Sequence, residues 1–72
     1  MSDTNNVTKL NILDALYAIY NADELQASAN LNNYLNNAAG IGEHPDVVAE
    51  AKKLVEEIEH ARHCREIVQS MK

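Results

Sequence analysis

The chain has 72 residues with one cysteine, 46% hydrophobic and 24% charged residues, and a formal net charge of −5. That is one small domain, which buries only about 60% of its unfolded surface and has no partner thiol for an internal disulfide. Six Lys and Arg against eleven Asp and Glu argue against a basic stripe for nucleic acid and against a cationic membrane-surface helix, and no apolar run approaches a membrane span.

The opening Met-Ser-Asp-Thr-Asn-Asn has neither the basic region nor the apolar core of a secretion signal. With a lone thiol, this predicts a complete small reading frame in a reducing cytoplasm. The acidity is uneven. Residues 1–43 hold one cation and five anions, whereas residues 44–72 hold five cations and six anions.

Residues 1–6 read as a disordered tail, and residues 7–72 as a single helical domain. The first predicted helix covers 7–20, where Leu10, Leu13, Leu16, Tyr17 and Tyr20 recur at helical spacing. Ile12, Ala15 and Ile19 widen that face to about half the cylinder, as in a helix contacted on two sides. Asn21 followed by Glu24 has the capping-box spacing, which predicts a break or kink there. The alternative is one long helix, which nothing at 21–24 forbids sterically.

The second predicted helix covers 22–39. Ala27, Leu31, Tyr34, Leu35 and Ala38 mark one side, and Gln26, Asn30, Asn33, Asn36 and Asn37 the other. From Leu25 through Gly42 there is no charged residue. Asn is a poor helix former, and a surface of short amides is unusual for a solvated helix. Gly40 at the first position past the helix predicts a left-handed cap, with Ile41 folding back onto the last turn.

The third predicted helix covers 45–71, with Pro45 at its first position and Asp46 at its positive end. Val47, Ala51, Leu54, Ile58, Ala61 and Val68 follow a heptad seam that Arg65 interrupts. Beyond Ala61 the apolar residues shift sideways to Cys64, Ile67, Val68 and Met71. The expected architecture is all-α, either three helices or a kinked antiparallel hairpin with a long C-terminal helix.

Two groups of residues could carry function. Tyr17, Tyr20 and Tyr34, which suit half-wet contacts, combine with Asn30, Asn33 and Asn37 of the uncharged stretch into a candidate interaction surface. Glu56, His60, His63 and Cys64 stand at helical spacings that suit a transition metal such as Zn²⁺, with His44 or a second subunit supplying a further ligand. Glu57 and His60 also match the E-x-x-H spacing of carboxylate-bridged di-metal bundles. No nucleophile–base set stands out, and Gly40-x-Gly42 lacks the remaining features of a phosphate loop. The sequence therefore predicts a non-enzymatic interaction or regulatory module without a cofactor, such as an adaptor, inhibitor or accessory subunit. Its partner is another protein or a second copy, and a homodimer would form through the wide apolar arc of the first helix. A metal-binding helical protein is the alternative. An acidic mimic that blocks a basic nucleic-acid-binding protein is a second.

Overall fold

The computed structural model describes residues 2–41 and 45–72, with side chains over 7–37 and 46–72. The described residues form two helices: α1, Ser2–Ile41, and α2, Pro45–Met71. They run antiparallel. Glu24 of α1 meets Arg62 and Arg65 of α2, and Asp14, nearer the start of α1, meets Lys72 at the end of the chain.

Two helices replace the expected three, and the hairpin is the version of the expectation that the structure carries. The reason lies in the phase of the α1 seam. Leu13, Tyr17, Tyr20, Glu24, Ala27, Leu31 and Tyr34 recur at 4-3 steps, and each is buried or half-buried. The pattern crosses residues 21–24 without a shift. A break there would discard backbone hydrogen bonds and gain no better packing. The expected capping box is therefore not formed: α1 passes through Asn21 without interruption. The expected tail is helical from Ser2 onward, and the expected Gly40 cap is replaced by helix as far as Ile41. Gly42 and His44 lie outside the described residues. Pro45 does open α2, with Asp46 in its first turn.

The α2 seam is Val47, Ala51, Leu54, Ile58, Ala61, Arg65 and Val68, all buried or half-buried. Arg65 is thus a member of the seam, and of the expected sideways shift only Val68 and the half-buried Cys64 turn inward. Val68 stays buried, while Ile67 and Met71 are exposed. The buried apolar core of the described residues is Leu13, Ala27, Leu54, Ala61 and Val68. The most buried of these are Ala61 at 2% exposure and Ala27 at 4%. Two alanines in the middle of the seam let the helix axes approach closely.

Beside them lies a polar cluster. The Arg65 guanidinium donates to Asn21 Oδ1 at 2.9 Å and to the Glu24 carboxylate. Arg62 Nε donates to Glu24 Oε2 at 3.0 Å. The Glu24 side chain is only 12% exposed, yet both its oxygens have a cationic donor. Its carboxyl is held below the usual value of 4.5 first by the hydrogen bond from Arg62, then by the charges of Arg65 and Arg62, against the opposing pull of burial.

The hairpin is a rod, 61 × 14 × 12 Å, with a radius of gyration of 17.2 Å. A globular chain of this length would have about 11 Å. No large side chain among the described residues is fully buried. None of the described helices is long and apolar enough to cross a membrane.

Replacing Ala61, the most buried of the core residues, by Leu overpacks the seam, so unfolding should show a loss of about 1–3 kcal/mol in denaturant titration. Because the Glu24 carboxyl is depressed in the folded state, its stabilisation is complete above the usual value and is lost as pH falls through the lowered one. Below about pH 4.5, wild type should therefore lose stability more steeply than Glu24→Gln.

Candidate functional site

The seam of α1 leaves an opposite face. Continuous helix and unbroken seam phase place Asn11, Ile12, Ala15, Ala18, Ile19, Ala22, Leu25, Gln26, Ala29, Asn32, Asn33 and Asn36 on it, and every one is exposed. None carries a charge. Ile12 is 56% exposed, Ile19 54% and Leu25 63%. The charged residues of α1 among those with described side chains, Lys9, Asp14, Asp23 and Glu24, occupy seam or flanking positions. The corresponding outer face of α2 holds Lys52, Lys53, Glu56, Glu59 and Glu66 with His60 and His63, and all are exposed. So α2 has an ordinary solvated back, with Lys52 and Glu56 paired at 2.8 Å. The back of α1 resembles the core of an interface, which is depleted in charge.

The structure divides the expected interaction residues between two surfaces. Tyr17, Tyr20 and Tyr34 lie in the seam towards α2, each half-buried. The Lys72 ammonium stands over the Tyr17 ring, 4.6 Å from its centroid, and also reaches Asp14 Oδ1 at 2.7 Å. These tyrosines serve the hairpin itself. Asn30, Asn33 and Asn37 are exposed. Asn37 Nδ2 donates to the Asn33 carbonyl at 2.7 Å and to Asn33 Oδ1 at 2.8 Å, so part of the amide surface satisfies itself. Asn30 borders an open groove of about 540 Å³ with Asp23, Gln26, Lys53, Glu57 and His60 along its walls and Ala27 and Ala61 among its lining. In the sequence the amides of this stretch draw attention before its alanines do. The signal for the outer face was the period shared by Ala15, Ala18, Ala22, Leu25 and Ala29, legible only once α1 is read as one helix.

The expected metal ligands are spread along the outside of α2. His60 Nε2 and Cys64 Sγ are 3.7 Å apart. Glu56 pairs with Lys52, and it borders a shallow surface together with His60, His63, Val55 and Glu59. Among the described residues no three of His, Cys, Asp and Glu converge where they could hold an ion. For the di-metal pattern, Glu24 is the inward acid, and Arg62 and Arg65 already occupy its carboxylate. Glu57 faces the groove instead.

Comparison with protein-family models, curated proteins and solved structures finds no match to this chain. The His60–Cys64 pair offers two of the four donors that a structural zinc site needs. Thermal unfolding with and without Zn²⁺ should give the same midpoint. A rise of several degrees that His60→Ala removes would put a metal site at this segment.

Proposed function

We propose that the chain is a small acidic interaction module without chemistry of its own, an adaptor, inhibitor or accessory subunit, which works by packing the outer face of α1 against another polypeptide. The observation that carries this reading is the contrast between the two helix backs. One is charge-free and exposes Ile12, Ile19 and Leu25; the other is studded with Lys and Glu. A helix that faced only water would show the second pattern on both. The net charge of −5 then acts at a distance, speeding encounter with basic surfaces and discouraging acidic ones.

Ala22 and Ala29 lie on the proposed face and are exposed. Lysine replaces alanine in a helix at little propensity cost, so Ala22→Lys with Ala29→Lys leaves the hairpin folded and places two charges in the contact. In extract of cells expressing the chain, size-exclusion chromatography should show wild type in a larger species and the double variant at the hairpin's own size. Glu59→Lys, on the back of α2, should behave as wild type. If the α1 variant keeps every association of the wild type, the face is not a contact surface.

A further inference from the structure

An exposed apolar face does not by itself say what covers it. Here the order of residues along the face does. Read outward from the midpoint between Ala18 and Ile19, the strip presents similar residues in both directions: Ile12 corresponds to Leu25, and Ala15 to Ala22. Beyond them the amide of Asn11 corresponds to that of Gln26. A two-fold contact uses the same patch on both partners, so the patch must be complementary to itself. In an antiparallel pair each residue meets its counterpart from the other end of the contact, so the condition is that such counterparts pack together, as apolar on apolar, small on small and amide on amide do.

We propose that α1 pairs with α1 of a second copy, antiparallel, about a two-fold axis that passes between Ala18 and Ile19, leaving each α2 on the outside. This rests on the reading above that the outer face of α1 is a contact surface, and it names the occupant. In this register Ile12 of one copy layers with Leu25 of the other, Ala15 with Ala22, and Ala18 with Ile19. The alanines bring the axes close, and the isoleucines and leucines fill the ends.

Three further observations favour a second copy. First, the contact joins two chains of net charge −5 along the one long face where neither presents a charge, which keeps the repulsion small. Second, the distribution of charge fits the layering: the helix placed inside has the bare back, and the helix placed outside has the solvated one. Third, the rod has surface to spare. A compact monomer of this mass exposes about 4,500 Å², whereas the hairpin exposes 5486 Å². The excess is about 1,000 Å² per chain, or about 2,000 Å² for a pair, at the upper end of what a standard-size interface removes.

The purified chain should have twice its 8.0 kDa mass by light scattering at tens of micromolar. Ile19→Glu sets two carboxylates beside the axis and should halve that mass while leaving helix content by circular dichroism unchanged. Direction is tested by cysteine pairs in a Cys64→Ser background. Ala15→Cys combined with Ala22→Cys should oxidise to a covalent dimer, and either substitution alone should not, because residues 15 of the two copies sit about 10 Å apart along the axis. Efficient cross-linking by Ala15→Cys alone would mean a parallel pair and overturn the proposal. So would a dimer insensitive to Ile19→Glu. A monomeric chain whose larger species in cell extract is still lost with Ala22→Lys and Ala29→Lys would also overturn it, leaving the contact face intact and giving it to a foreign protein.

Discussion

A carboxylate sits in the seam of this hairpin, and its partners decide how the two helices meet. Glu24 occupies a position that the 4-3 spacing reserves for an apolar side chain, and Arg65 occupies the matching position on α2. Two seam charges facing leucines or alanines would each be stripped of water without compensation. In the observed register they face each other, with Asn21 and Arg62 completing the set. Sliding α2 by one heptad would separate them. Such a cluster adds little net stability over an apolar layer, but it penalises every other alignment. The flanking layer of Ala27 and Ala61 adds a steric condition, because close approach is possible only where small residues lie together.

Register then determines which surface is left over. With α2 fixed on the side of Leu13, Ala27 and Leu31, the opposite side of α1 must look outward, and that side is uncharged from Asn11 to Asn36. A two-helix rod has no second layer to cover it. The same thinness explains why no large side chain among the described residues is fully buried. One seam of seven positions per helix is a small core for a chain of this length, and small chains commonly gain stability from association. Fold and proposed function are in this sense one problem: the face that the hairpin cannot bury is the face offered to another chain.

Much of the architecture was legible in the residues. The helical class, the start of α2 at Pro45 and the α2 seam follow from periodicity and capping chemistry. The continuity of α1 did not. Asn21 and Glu24 have the spacing of a capping box, and a local motif says nothing about two arginines forty residues away. Arg65 was visible as an interruption of the seam; its partner was not, because Glu24 was already assigned to a cap. With α1 cut in two, Ala15, Ile19, Ala22 and Leu25 fell on separate helices, and their common face disappeared. The tyrosines carry a signal that their own residue type does not resolve. Their amphipathic rings suit an interface, and the interface they serve lies within the chain. The metal spacing of His60, His63 and Cys64 is real along the helix, but ligands also need convergence from a second element: Glu24 of α1 is held by Arg62 and Arg65, and Asp23 lines the groove with His60 without three donors converging among the described residues.

The central claim is that Glu24 and Arg65 form one unit across the seam. A double-mutant cycle measures this most directly, comparing Glu24→Leu, Arg65→Leu and the double variant by thermal unfolding. Glu24→Leu leaves Arg65 with Asn21 alone, and Arg65→Leu leaves Glu24 with Arg62 alone, so each should lower the midpoint, and the double change should recover most of that loss by making the layer apolar. If the two losses simply add in the double variant, the residues do not meet, and the register built on them is wrong.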